Sequence, residues 1–155
     1  MGIYRALLKQ QDISEGLESQ LRDVLLRKST PDLEDLSPQL DVAPFQKLLA
    51  LAGSADVLQV ARTQFAGDQG IETALSQLEF VLQHLGSAQD INMHIDLADV
   101  AGYRYHTGLT FNAFVAGRGR TVAQGGRYDR IGEQFGRARP ATGFSADLKT
   151  LVKLG

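Results

Sequence analysis

The sequence contains no cysteine, so it forms no disulfide and offers neither a thiolate metal ligand nor a thiol nucleophile, in keeping with a reducing compartment. Long apolar runs are also missing. No stretch approaches the ~20 consecutive apolar residues of a membrane span, and no basic, apolar, small-residue signal opens the chain, so a cytoplasmic protein is expected. Prolines number only four and no biased tract occurs, while 43% of the 155 residues are hydrophobic and 22% are charged. That composition excludes a disordered or fibrous chain and suits one globular domain or a piece of a larger one.

The net charge is only −2, but the two signs are separated along the chain. Residues 1–88 hold seven Lys/Arg against twelve Asp/Glu, whereas residues 89–155 hold nine against six. Arg118, Arg120, Arg127, Arg130, Arg137 and Arg139 crowd a stretch whose only acids are Asp129 and Glu133. Such a stretch serves either as a solvated face or as an anion site.

The acidic part has helical periodicity. A first short helix is predicted over Ile3 to Lys9. Ser14 is placed to cap a second, with Glu15 and Glu18 at its positive end, Leu17, Leu21, Val24 and Leu25 along one face, and Arg27-Lys28 closing it. Thr30-Pro31-Asp32 restarts a helix, with proline where its missing N–H costs no bond. Another is predicted from about Pro44 to a stop at Gly53, and Ser54 is read as the cap of the next, which turns Val57, Leu58, Ala61 and Phe65 one way before Gly67. The longest runs from about Gly70 to Leu85, with Ile71, Leu75, Leu78, Leu82 and Leu85 as its core stripe.

From Asp90 the period changes. Ile91, Met93, Ile95 and Leu97 alternate with polar residues as in a strand. Leu109 to Ala116 reads as a second strand, Gly117-Arg118-Gly119-Arg120 as a hairpin turn, and Thr121 to Gln124 as its partner, ended by Gly125-Gly126. A short helix over Asp129 to Phe135, a strand over Ala141 to Ala146 and a helix over Asp147 to Leu154 complete the prediction. Tight turns between strands imply antiparallel pairing and an α+β fold, in contrast to a parallel nucleotide-binding sheet.

Few polar groups stand out as chemistry. His94 and Asp96 share a predicted strand face, but no third histidine or cysteine lies close, and neither a metal site nor a cofactor is expected. His84 reads as a surface or capping residue. Tyr103-Arg104-Tyr105-His106-Thr107-Gly108 places rings beside a strand, where they either line a pocket or cover a sheet edge. Gly125-Gly126-Arg127-Tyr128-Asp129 permits close backbone approach to a ligand, or a tight turn with an Arg–Asp pair.

These two runs, followed by Ala141-Thr142-Gly143-Phe144-Ser145, resemble the C-terminal part of the catalytic domain of histidyl-tRNA synthetases, which are class II aminoacyl-tRNA synthetases. The family's first histidine-binding signature, approximately Arg-Gly-Leu-Asp-Tyr-Tyr-Thr-Gly, corresponds to Ala101 to Gly108, and its Gly-Gly-Arg-Tyr-Asp block is intact at Gly125 to Asp129. The third class II motif aligns with Asp147-Leu148-Lys149-Thr150-Leu151. The departures bear on function. Ala101 and Thr150 stand where the resemblance puts the arginines that assist activation and hold ATP, and Lys149 replaces the adjacent acid. Activation builds negative charge on phosphates, so loss of two placed guanidinium groups argues against catalysis by the synthetase route. Arg104 and His106 replace the signature's acid and second tyrosine.

With those losses the chain is similar to the regulatory subunits of ATP phosphoribosyltransferase, through Tyr105-His106-Thr107-Gly108-Leu109, through Gly125 to Gly132 and through Gly136 to Leu148. The helical part, notably Gly2-Ile3-Tyr4-Arg5-Ala6-Leu7, resembles that family's insertion between catalytic motifs. The resemblance implies part of a class II synthetase-like antiparallel sheet with a helical insertion, the insertion over residues 1–88 and the sheet portion over 89–155. The first two class II motifs are expected before Met1 and more sequence after Gly155, which makes this an internal or C-terminal fragment of the catalytic-like domain. It also implies no catalytic residue and no cofactor. A homodimer within a hetero-oligomer is expected, with the short-form catalytic subunit as partner and histidine as effector near Tyr105, His106, Gly126, Arg127 and Tyr128. The alternatives are an active histidyl-tRNA synthetase, which Ala101 and Thr150 oppose, and a polyanion-binding module. The low pI of about 5.9 and the lack of an aromatic-basic stacking series oppose the latter, so no nucleic-acid partner is expected.

Overall fold

A computed structural model describes residues 1–85, 91–130 and 136–153. The chain divides into two compact units, one over Gly2–Ala101 and one from Gly102 onward.

Among the described residues the first unit has six helices: α1 (Gly2–Lys9), α2 (Glu15–Arg27), α3 (Thr30–Glu34), α4 (Ala43–Leu49), α5 (Val57–Gln64) and α6 (Gln69–Leu85). Their ends follow local chemistry. The Ser14 hydroxyl accepts from the Leu17 N–H at 3.3 Å, and Ser29 caps α3 by accepting from Asp32 N–H. The apolar stripes meet in one core, in which Tyr4, Leu7, Leu21, Leu25, Leu33, Phe45, Leu48, Ile71, Leu75 and Val100 are almost wholly buried and Tyr4 meets Phe45 edge to face at 6.2 Å. Arg62 on α5 clamps α6, donating to Glu72 at 3.1 Å and Glu79 at 2.8 Å. Hydrogen bonds from Ser76 and Arg62 hold the Glu72 carboxyl below its ordinary range.

Three sequence expectations change here. The helix from Pro44 ends at Leu49, well before Gly53, because Ala52–Gly53 forms a short strand, β1, antiparallel to β2 (Ile95–Asp96). The Ser54 side chain is not the cap of α5, which begins at Val57: its hydroxyl turns to Asp56, and only its backbone carbonyl accepts the Val57 N–H. The alternation from Ile91 yields only the two residues of β2, with Ile91 itself 57% exposed.

The second unit is a three-stranded antiparallel sheet of β3 (Thr110–Phe114), β4 (Thr121–Tyr128) and β5 (Ala141–Ala146), in that spatial order, followed by α7 (Leu148–Val152). Here β4 continues through Gly125-Gly126, which were expected to end it, and Gly126 pairs with Thr110 on one side and Gly143 on the other. The remainder of the helix predicted over Asp129 to Phe135, from residue 131, lies outside the described residues, as does Leu154.

At α7 the Asp147 carboxylate accepts from the Thr150 N–H at 3.1 Å and the Thr150 hydroxyl at 2.7 Å, while Arg120 donates to that hydroxyl at 2.9 Å. Thr150 is 2% exposed. Thr150 is therefore engaged in the cap of α7. The Thr150 hydroxyl, its backbone N–H and Arg120 together hold the Asp147 carboxyl below its ordinary value. A carboxylate so depressed contributes stability above its unfolded pKa of about 3.9 and loses it as pH falls through the folded value. Wild type is expected to exceed Asp147→Asn in stability at neutral pH, with the gap narrowing as pH drops below about 4; urea unfolding across that range checks it.

Candidate functional site

The sequence Gly102-Tyr-Arg-Tyr-His106 folds as a tight turn in which the N–H groups of Tyr105 and His106 both donate to Gly102 O at 2.8 Å. Gly102 takes φ +71°, and a β-carbon there would sit 2.7 Å from His106 Cδ2, so glycine suits the position on both counts. The chain then runs alongside β4: Thr107 N–H donates to Arg127 O at 2.8 Å, and Arg127 N–H to Leu109 O at 2.9 Å. The Thr107 hydroxyl accepts from Asp129 N–H at 2.8 Å. These bonds fix the turn against the strand carrying the second motif.

The sheet register then brings side chains together. Residues two apart on a strand share a face, so Gln124, Gly126 and Tyr128 of β4 lie on the same face as Gly143 of β5. Gly126 and Gly143 are directly paired and form a bare patch of backbone. His106 lies over Gly126, where a β-carbon would come within 2.7 Å of its Nδ1 and 2.8 Å of Leu109 O. Tyr128 leans over Gly143, where a β-carbon would overlap its hydroxyl. Tyr105 completes the ring cluster at 5.2 Å from both His106 and Tyr128, with His106 and Tyr128 at 6.2 Å. A cluster of two phenol rings and an imidazole beside backbone polar groups can hold a flat, hydrogen-bonding ring.

Tyr105, His106, Gly126 and Tyr128 are thus brought together. Arg127 is not, because alternation turns its side chain to the opposite face, where Nε donates to Asp129 at 2.8 Å and the stem packs on Gly108. Its backbone serves the site by tying down Thr107 and Leu109. Gly143 lies in the Ala141 to Ser145 run that carries the resemblance but was not among the expected site residues, and only the strand register places it beside Gly126. Of the arginine stretch, Arg120 and Arg127 are engaged by Asp147 and Asp129. His94 is exposed, and Asp96 is taken by Lys28 and the Ala98 N–H. Among the described residues no three His, Cys, Asp or Glu side chains are grouped to hold a metal. His84 is exposed on α6, its ring tilted against Phe80 with the centroids 4.1 Å apart.

An antiparallel sheet bearing this ring cluster, with a helical insertion before it, is part of a class II aminoacyl-tRNA synthetase fold. A crystal structure described as an ATP phosphoribosyltransferase regulatory subunit/histidyl-tRNA synthetase from Bacillus halodurans superposes with a TM-score of 0.80 at 27% identity, over 98% of this chain and 41% of that one. Histidyl-tRNA synthetase from Nostoc shares the fold at a TM-score of 0.71 and 22% identity, over 99% of this chain and 38% of that one. The chain belongs to the histidyl-tRNA synthetase family, whose model matches residues 1–151. Within that family it is 45% identical to the ATP phosphoribosyltransferase regulatory subunit of Nitrosococcus oceani and 46% identical to that of Pseudomonas fluorescens, along its whole length in both cases. It spans about 40% of the length of these curated relatives.

Proposed function

We propose that this chain is part of a non-catalytic regulatory subunit that assembles with the short-form ATP phosphoribosyltransferase, supports the first step of histidine biosynthesis and mediates feedback by histidine. The observation that carries the reading is the 45–46% identity, end to end, with relatives named as such subunits. The engagement of Thr150 in a helix cap agrees with it, since that position supplies no guanidinium for ATP. The subunit acts in the cytoplasm as a homodimer within the hetero-oligomer, and residues 1–88 are the insertion in its synthetase-like domain. Histidine binds where Tyr105, His106 and Tyr128 surround Gly126, with Arg127 bracing the strand beneath. Feedback then requires that histidine bind the assembled states unequally, and the coupling is reciprocal: to the extent that histidine changes substrate affinity, the substrates shift histidine affinity by the same factor.

The test is phosphoribosyl-ATP formation by the matching short-form enzyme, with and without the full-length subunit, at zero and saturating histidine. Activity is expected to rise on mixing and to fall again with histidine. A well-folded subunit that neither binds nor activates the enzyme overturns the assignment. Histidine affinity unchanged by Tyr128→Ala overturns the site.

A further inference from the structure

One row of the sheet beyond the glycine floor lies Asn112–Gln124–Ser145, three directly paired residues on three neighbouring strands. By alternation they face the same way as Gly126, Gly143 and Tyr128. All three are exposed, and among the described residues their side chains make no hydrogen bond. Val122, two residues further along β4 on the same face, is buried. The face thus carries a strip two rows long, with the His106 and Tyr128 rings seated on the paired glycines at one end and two amides and a hydroxyl at the other.

The strip's chemistry is specific. Its sheet positions, Thr110, Asn112, Val122, Gln124, Gly126, Tyr128, Gly143 and Ser145, include no charged residue, which disfavours a polyphosphate. Two residues along a strand cover about 6.7 Å, comparable with the reach from the far ring nitrogen to the carboxylate of an extended histidine. Primary amides offer two N–H donors each, suited to a carboxylate that carries its own ammonium nearby.

Resting on the histidine-site reading above, we propose that the Asn112–Gln124–Ser145 row receives the α-carboxylate of the amino acid whose ring the Tyr105–His106–Tyr128 cluster holds, with Gln124 as its central donor. The row makes the site selective for the amino acid over amines that share its ring.

Calorimetric titration of the full-length subunit with L-histidine and with histamine, which lacks the carboxylate, tests this. Wild type is expected to bind histidine at least tenfold more tightly than histamine. Gln124→Leu is expected to weaken histidine about tenfold while leaving histamine within twofold, and Asn112→Leu and Ser145→Ala to do the same more mildly. Circular dichroism verifies that each variant folds. Equal wild-type affinity for the two ligands overturns the proposal, as does a Gln124→Leu variant that keeps wild-type discrimination or weakens both ligands alike. In these cases the ring site survives. A wild type that binds neither ligand overturns the histidine site itself and the row with it.

Discussion

Gly125→Ala is expected to destabilise the three-stranded unit by about 2–3 kcal/mol, the upper part of the range for forcing a group into a packed position. The direction is informative, because alanine in a strand interior ordinarily stabilises relative to glycine by roughly 0.5–1 kcal/mol through lower backbone entropy in the unfolded chain. Here a β-carbon would overlap the Gly143 carbonyl oxygen and lie 2.7 Å from Phe144 Cβ and 2.8 Å from Phe144 Cα. These are mostly backbone atoms of β5, so no rotamer change relieves the clash and the β4–β5 register from Ala123 to Tyr128 must open. Gly119→Ala is the control. Its φ is not positive and no atom lies within 4 Å of its added β-carbon, so it is expected to be neutral or stabilising by up to about 1 kcal/mol. Urea midpoints compare the two variants with wild type, and hydrogen exchange localises the loss: amides of residues 123–128 and 141–146 should lose protection in Gly125→Ala alone. A variant as stable as wild type would show that the strands can separate at no cost at this point, contrary to the close approach.

Local signals in the sequence were sufficient where the physics is local. Ser14 and the following acids mark the start of α2, and the glycine-rich stretch between two alternating segments marks the β3–β4 turn. Extent was harder to read, because periodicity identifies an apolar face without saying how far a partner covers it. On α6, Ile71 and Leu75 are buried, but Leu78 and Leu82 are half-buried and Leu85 is 45% exposed. The helices packed against it, α1 and α5, have eight residues each, about 12 Å of helix against about 25 Å for the 17 of α6. The alternation at 91–94 likewise describes a strand that finds no partner among the described residues. In the site, the motif residues were legible but their faces were not. Gly-Gly looks like a strand terminator because isolated glycines weaken strands, and only the pairing of Gly126 with Gly143 turns it into a floor. Once the register is known, a one-residue step separates Tyr128, which faces the rings, from Arg127, which does not.

Gly143→Ala is expected to leave stability within about 1 kcal/mol of wild type, below the overpacking range, yet to weaken histidine binding by tenfold or more. The contrast with Gly125 follows from what each added methyl would meet. At Gly125 it meets backbone, whereas at Gly143 it meets the Tyr128 hydroxyl, the far end of a side chain that can rotate away. Relief is cheap for the fold and costly for the site, because Tyr128 must leave its place 5.2 Å from Tyr105 and 6.2 Å from His106. The next ring atom, Tyr128 Cζ, would be 3.3 Å from the new carbon, and Cε1 3.7 Å, distances that a shift of a few tenths of an ångström accommodates. Removing the hydroxyl should therefore let the ring return. In a double-mutant cycle, Tyr128→Phe in the Gly143→Ala background is expected to bind histidine more tightly than Gly143→Ala alone, while Tyr128→Phe in the wild-type background weakens it or leaves it unchanged. Opposite signs for one substitution in two backgrounds are not produced by general loosening of the sheet. Purely additive losses would mean that Tyr128 is not held over Gly143, and that the aromatic wall of the site must be sought elsewhere on this face.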